Sequence, residues 1–269
     1  MKAKSAVEYP LLERLQSWAV ALLVLMGAAL VLKPVKEVCW EAVQAGQAEL
    51  RVDSLNESVG QGVVLGVLGG LRSLVADFAW LELNRKWEAR DRAGLGAMIQ
   101  LVTSIDPRPE FFWINSARMI GYDVPHWRIA EAGGYGLVSE TEQATINVEQ
   151  AMQALALLDQ ALSYHSGSAR LKLEIGQIYL NRLQNYELAA DWFLKATKEK
   201  DAPYFAGRVY ADLLVRLQRE REAYAFLKEL YLNLPEDPMA QGDIVLERIR
   251  ELEERLGLAG EAVFHSGAD

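Results

Sequence analysis

The sequence predicts an all-α protein: a single amino-terminal transmembrane helix, then an α-solenoid of about four helical hairpins, closed by a carboxyl-terminal capping helix. Three observations predict it. Residues 168–200 read as two short amphipathic helices, their pattern recurs with a step close to 34 residues, and residues 18–32 carry no charged side chain. The predicted segments are an anchor at 1–36, a connector at 37–70, repeats at 71–235, and a cap with a tail at 236–269.

The two helices at 168–200 each carry an apolar stripe. Leu171, Ile175 and Ile178 recur at three- and four-residue intervals on the first helix, which places them on one face. The second helix has a similar stripe, made of Ala189, Trp192, Phe193 and Ala196. Gly176 lies inside the first helix, where it costs about 1 kcal/mol relative to alanine. We therefore expect the two helices to approach closely at this glycine.

The same pattern recurs on both sides of this pair. Ala211 follows Gly176 by 35 residues, Ala117 precedes it by 59, and Leu83 lies a further 34 residues upstream. An insertion of about 25 residues, at 122–146, accounts for the longer step. We expect Ala117, Gly176 and Ala211 to mark the closest helix approaches within their repeats.

The order large apolar, Gly, Tyr, turn, Ala, Phe, Ala resembles the tetratricopeptide repeat (TPR), whose period is about 34 residues. The resemblance covers about 160 of the 269 residues. It implies a membrane-anchored, TPR-like α-solenoid whose first helices line a concave groove that grips peptides or helices of partner proteins. The implied groove residues are Asp77, Trp80, Asn84, Ile114, Arg118, Arg170, Gln177, Asn181, Phe205, Arg208, Asp212 and Arg216.

The arginines of this groove would suit an acidic or carboxylate-bearing segment. One departure from the family matters. The variant that binds carboxyl-terminal peptides has Lys four residues before an Asn, whereas here Trp80 precedes Asn84 and Gln177 precedes Asn181. That peptide clamp is therefore not indicated.

The uncharged run at 18–32 predicts an uncleaved, single-pass anchor that meets the membrane through residues 15–33. The run is shorter than the 20 or so residues that span a bilayer, but Leu11, Leu12 and Leu15 extend it, and Arg14 and Lys33 can snorkel to the headgroups. A cleaved signal peptide and a buried soluble helix are the alternatives, and no small-x-small cleavage site follows the run.

The basic residues at the two ends of the run indicate the orientation. Lys2, Lys4 and Arg14 slightly outnumber Lys33 and Lys36. This favours an amino terminus in the cytoplasm and a repeat domain outside it, which is the periplasm in a bacterium.

Three glycines in the connector stand four residues apart. On a helix, Gly62, Gly66 and Gly70 would share one face and allow close backbone approach. The segment is then a packing helix that begins the array, a contact with the membrane or a partner, or a glycine-rich loop. Cys39, the single cysteine, is an inert thiol or forms an intermolecular bridge.

Composition and motifs argue against several classes of function. A net charge of −9, with 37 acidic against 28 basic residues, does not favour nucleic-acid binding. In the insertion, Asp123, His126, Arg128 and Glu131 could supply an acid, a base and a cation, but no nucleophile motif or paired metal-ligand spacing accompanies them. We therefore predict no catalytic, cofactor or metal residues, no small-molecule substrate, and no enzyme activity.

The rest of the insertion has a structural interpretation. Pro125 and Trp127 hold a loop against the repeats, residues 133–136 (Gly-Gly-Tyr-Gly) turn it, and Ser139 with Glu142 caps the next helix. An enzyme that uses residues 122–146 is the alternative.

The carboxyl end predicts an amphipathic cap. Val245, Ile249, Leu252 and Leu256 form its apolar stripe. The polar outer face that a terminal repeat needs comprises Glu247, Arg248, Glu251, Glu253, Glu254 and Arg255. A short coiled-coil seam is the alternative, and residues 260–269 read as a frayed tail.

These observations predict a membrane-anchored scaffold or adaptor that binds other proteins, themselves membrane-associated, through the TPR-like groove. The alternative is an accessory subunit of a membrane complex, which contacts that complex through its transmembrane segment and the Gly62, Gly66 and Gly70 helix.

Overall fold

A computed structural model describes residues 69–265, which confirm the all-α prediction. This part of the chain contains ten α-helices: α1 (Arg72–Glu88), α2 (Arg92–Ile105), α3 (Glu110–Arg118), α4 (Val124–Glu131), α5 (Glu140–Tyr164), α6 (Ala169–Asn181), α7 (Tyr186–Thr197), α8 (Phe205–Arg216), α9 (Glu220–Leu232) and α10 (Gly242–Leu256). Short 3₁₀ turns lie at Pro238–Ala240 and Gly260–Ala262, and a π-helix lies at Met119–Asp123.

The predicted anchor, Cys39, Gly62 and Gly66 lie outside the described residues. Within residues 69–265, none of the helices is long and apolar enough to cross a membrane.

The helices form a solenoid-like array of packed pairs. The pairs are α1 with α2, α3 with α5, α6 with α7, and α8 with α9, and α10 packs on α9. Most of the apolar clusters join one pair to the next pair or to α10. One joins Trp113, Leu158 and Ile175 of α3, α5 and α6, and another joins Phe193 of α7 to Leu213 of α8. The array is therefore built from contacts between neighbours in sequence, as in repeat proteins.

Helices α6 and α7 pack tightly against each other at Gly176. A Cβ at this position would lie 2.9 Å from Cδ2 of Phe193, a distance at which carbon atoms clash. Ala117 and Ala211 are buried at the related positions of α3 and α8. Of these three positions, only Gly176 requires a residue without a Cβ, because two atoms of the Phe193 ring lie within about 3 Å of where a Cβ would be.

Replacing Gly176 with leucine should therefore lower the free energy of unfolding by about 1 to 3 kcal/mol, because the Phe193 ring must move out of a packed layer. The measurement is urea unfolding followed by circular dichroism. Gly96→Leu is the matched control, since a Cβ on Gly96 in α2 meets nothing within 4 Å. An equal loss in both variants would show that the helix backbone, and not the close approach, sets the cost.

The insertion contains more helix than the sequence analysis predicts. We expected a loop held by Pro125 and Trp127, but the structure has the π-helix followed by α4, and residues 140–146 already belong to α5. Pro125 is compatible with this helix because it occupies the first turn, where its missing N–H is not needed. Trp127 is buried as expected. Ser139 caps α5 by accepting a hydrogen bond from the Glu142 N–H at 3.2 Å.

Gly70 does not extend a helix. It lies in a turn with φ of +84°, two residues before α1 begins, a conformation that glycine adopts readily. The prediction that Gly62, Gly66 and Gly70 share one continuous helix face is therefore wrong at Gly70.

The cap differs from the prediction at one position. Val245, Ile249 and Leu252 are buried as expected, but Glu253, which was assigned to the outer face, is buried as well. Its carboxylate accepts hydrogen bonds from the Tyr224 hydroxyl at 2.9 Å and from the backbone N–H of Phe264 at 2.6 Å.

These bonds also hold part of the predicted tail. The Phe264 ring packs edge-on against Tyr231, with 5.6 Å between the ring centroids. The tail is therefore attached to the cap as far as Phe264, and a frayed end does not begin at residue 260.

The segment between α2 and α3 ties these helices to α1. Asp106 is buried and accepts hydrogen bonds from Ser73 Oγ at 2.9 Å and from Arg108 Nε at 2.7 Å. The next carbonyl oxygen, on Pro107, accepts a hydrogen bond from Trp113 Nε1 at 2.8 Å. The ends of the first two helix pairs are thereby fixed relative to each other.

Candidate protein-binding surface

The first helices of successive pairs, α1, α3, α6 and α8, contact one another or α10 through the residues predicted to line the groove. Trp80 of α1 packs against Phe111 of α3, and Arg118 of α3 forms an ion pair with α6. Arg170 of α6 lies 3.9 Å from Glu110 of α3. Asp212 of α8 forms an ion pair with α10. We call this row of residues the first-helix face.

The amino-terminal end of the first-helix face is aromatic. Trp80 packs against two adjacent phenylalanines, with 5.1 Å between ring centroids to Phe111 and 5.3 Å to Phe112. Phe112 is buried, whereas Phe111 is 49% exposed. Asn84 donates a hydrogen bond to the Trp80 carbonyl oxygen at 2.8 Å. Large aromatic side chains that stay partly exposed are typical of protein interfaces.

A buried carboxylate lies at the centre of the face. Glu174 of α6 has a side chain that is 3% exposed, and its Oε2 accepts hydrogen bonds from Arg118 Nε at 2.9 Å and Nη2 at 2.6 Å. The hydrogen bonds that Arg118 donates to Glu174, with burial opposing them, raise the pKa of Arg118. Arg118 therefore balances a charge inside the protein, and its guanidinium is only partly available to a partner.

Polar groups surround this pair. The hydroxyl of Tyr122, in the π-helix, lies 3.5 Å from the Gln177 carbonyl oxygen. Burial raises the pKa of Tyr122, and a hydrogen bond with Asn181 opposes the shift. The Arg182 guanidinium lies 5.4 Å from the Tyr122 ring centroid. A π-helix often accompanies a functional site, and here it turns Tyr122 toward the exposed amide of Asn181.

The carboxyl-terminal end of the face is polar and more open. Arg208 donates hydrogen bonds to the Ala240 carbonyl oxygen at 3.0 Å and to Gln241 Oε1 at 2.7 Å. The Asp212 carboxylate lies 3.2 Å from Arg248 of α10. Arg216 is exposed, with its guanidinium 5.7 Å from the Tyr186 ring centroid.

Four predicted groove residues have no such bridging role, among them Asn84, whose hydrogen bond lies within α1. Asp77 and Phe205 are exposed. Ile114 is only 4% exposed and packs in the core with Trp113 and Ala117. Its assignment to the groove is therefore wrong, because α3 turns this side chain toward α5 and α6.

The sequence analysis also missed two residues of the face. Glu174 had a signal, since it is an acid between Leu173 and Ile175 within an apolar stripe, a position that predicts a buried and paired carboxylate. The sequence contains no such signal for Phe111, because no neighbouring residue distinguishes its exposed ring from the buried ring of Phe112.

The four acid, base and cation candidates of the insertion do not converge. The Asp123 carboxylate accepts a hydrogen bond from Trp87 Nε1 at 2.8 Å, and His126 contacts the Tyr135 hydroxyl. Arg128 and Glu131 instead line an open cleft of about 800 Å³ between α2, α4 and α5.

The charges of Arg128 and Glu131 in this cleft are paired. Arg128 lies 2.7 Å from Glu149, and Glu131 lies 3.0 Å from Arg92. Among residues 69–265, no group of three or more His, Cys, Asp or Glu side chains is placed to hold a metal ion. The cleft is thus a polar surface lined by internal ion pairs.

No protein-family model, curated protein or solved structure matches this chain. Its residues 69–265 form an all-α, solenoid-like array, and the function has to be argued from the surfaces of that array.

Proposed function

We propose that the chain is a TPR-like adaptor that binds partner proteins on the first-helix face and is held at a membrane by residues 15–33. In this proposal the face provides binding and no catalytic step. The partner is a segment that carries carboxylates near its contact with α8 and an apolar side chain near its contact with Trp80.

One observation carries the proposal. Side chains that are far apart in the sequence, from Trp80 in α1 to Arg216 in α8, belong to helices that follow one another in the array, and three of them bridge α1 to α3 or α3 to α6. A surface assembled from several repeats is what extended repeat proteins use to bind a partner. The aromatic end supplies apolar contact area, and the polar end supplies hydrogen-bond donors that fix orientation.

The structure also indicates which arginines to test. Arg208 and Arg216 lie on α8 and contact a backbone carbonyl, an amide and an aromatic ring, so neither balances a buried carboxylate. Replacing both with glutamate should reduce partner capture about tenfold, because the substitution reverses the local attraction for carboxylates. Arg216 is exposed, whereas Arg208 is half-buried and loses two hydrogen bonds, so we expect the variant to be less stable by about 1 to 2 kcal/mol and still folded.

The measurement is quantitative co-purification of partners with the full chain from solubilised membranes. Glu251→Lys with Glu254→Lys, two exposed positions on α10, is the control for a change in charge of the same size and opposite sign, and should leave capture unchanged. Circular dichroism confirms that both variants are folded. Full capture by the α8 variant together with loss in the α10 variant would place the binding site away from the first-helix face.

A further inference from the structure

Helix α1 has a second exposed apolar surface, beside the first-helix face and sharing only Asp77 with it. Leu71, which precedes the helix, and Leu74, Phe78 and Leu81 are 56%, 50%, 64% and 59% exposed. They follow one another at intervals of three, four and three residues, so they form one stripe. The buried residues Ala76 and Leu83 lie on the opposite side of α1, in the core with α2. We call the stripe the outer α1 face.

The spacing of this stripe is that of a helix-pairing seam. Leu71 and Phe78 occupy the a positions of a heptad, and Leu74 and Leu81 occupy the d positions, an arrangement that packs best against a second helix. Ten residues separate its ends, which corresponds to about 15 Å along α1. Contiguous exposed apolar surface of this kind marks an interaction site.

The flanks of the seam are acidic. Asp77 and Glu82 occupy the g and e positions beside it. Arg85 follows at the next a position and pairs with Glu82 at 3.1 Å, and Glu88 follows at the next d position. In paired helices, the e and g residues select the partner by charge. The complementary partner therefore has basic residues at these positions.

We propose that the outer α1 face binds an amphipathic helix of another protein, with an apolar a and d seam flanked by lysine or arginine. The acidic flanks argue against the two simplest other occupants. An anionic bilayer surface attracts helices with basic flanks and repels acidic ones. A second copy of this chain would bring two acidic flanks together, since Asp77 and Glu82 are not matched by basic e or g residues on the same stripe.

The direct test places a photo-crosslinking amino acid at Phe78 of the full chain, in membranes of cells that naturally make the protein. The adducts are digested and the crosslinked peptides are sequenced. The expected adduct is a peptide of another protein, with apolar residues at heptad a and d positions and at least two basic residues at e and g. The same amino acid at Leu232, which is 67% exposed at the end of α9, is the control and should not form this adduct.

A charge test accompanies it. Asp77→Lys with Glu82→Lys should lower the Phe78 adduct yield about tenfold, and Asp191→Lys with Glu229→Lys, two exposed acids on α7 and α9, should not. The proposal is wrong if the charge reversal leaves the adduct yield unchanged, if no adduct forms, or if the partner peptide lacks basic flanks. It is also wrong if the adduct is on lipid, on a second copy or on residues of this chain before 69. The Arg208→Glu and Arg216→Glu variant should retain the adduct, so this proposal and the first-helix proposal can fail separately.

Discussion

Reversing the charge of Arg118 is expected to lower the free energy of unfolding by about 3 kcal/mol. The reason lies in its partner. Glu174 is buried, and Arg118 supplies both hydrogen bonds to its Oε2, so Arg118→Glu leaves a buried carboxylate facing another one. Removing one member of a buried ion pair costs about 3 to 5 kcal/mol, and we expect the lower end because the Arg118 side chain is 53% exposed.

The matched control is Arg170→Glu. Arg170 also connects α6 to α3, but it lies 3.9 Å from Glu110 and its side chain is 63% exposed. Exposed ion pairs contribute about 0 to 1 kcal/mol, so this variant should unfold near the wild-type midpoint. Urea unfolding of both variants measures the difference.

A double variant separates the ion pair from general damage to the site. Arg118→Leu alone should be destabilising, and Arg118→Leu with Glu174→Leu should recover much of the loss, because replacing both partners of a buried pair is often close to neutral. Equal losses in Arg118→Glu and Arg170→Glu would mean that the buried carboxylate does not depend on Arg118.

The ion pair of Arg118 and Glu174 shows a limit to predicting the binding surface from the sequence alone. The repeat pattern placed Arg118 on a first helix, and from its charge we expected a free cation in a groove. Its partner is 56 positions away in the sequence, and only the packing of α3 on α6 brings the two together. Local spacing predicts which face a residue occupies, but it does not predict whether the charge is already balanced.

The fold itself was largely predictable. Apolar residues at helical spacing identified the helix pairs, and residues such as Leu171, Ile178 and Phe193 are buried as expected. Such patterns are dependable because burying one face is what stabilises a short helix.

The structure differs from the prediction where contacts between residues distant in sequence, and not the local sequence pattern, decide the conformation. Helix α4 forms inside the insertion because Val124, Trp127 and Ile129 each find a core to pack against. Glu253 turns inward because a tyrosine hydroxyl and a backbone N–H are there to satisfy its carboxylate. The outer α1 face shows the opposite case. Its residues have the apolar spacing of a buried stripe, but they remain exposed.

The second large effect is expected at Asp106. Its buried carboxylate is bonded to Ser73 and Arg108, and Arg72 Nε lies 3.7 Å away. Asp106→Asn removes the charge that both arginines contact and should lower the free energy of unfolding by about 3 kcal/mol at pH 7. Asp159→Asn, on the exposed side of α5, is the control and should be nearly neutral.

The cost at Asp106 should also depend on pH. Burial alone would raise the pKa of Asp106, but the hydrogen bonds from Arg108 and Ser73 outweigh it and hold the pKa below its usual value of 3.8. A carboxyl whose pKa is lowered by folding stabilises the protein fully above its unfolded pKa, near 4, and this contribution disappears as the pH falls through the lower folded value. The difference between wild type and Asp106→Asn should therefore be constant from pH 7 to about pH 5 and shrink below pH 4. Urea unfolding of both proteins at pH 7, 5, 4 and 3 measures it, and a difference that stays constant down to pH 3 would show that the hydrogen-bond geometry, and not the charge, stabilises this junction.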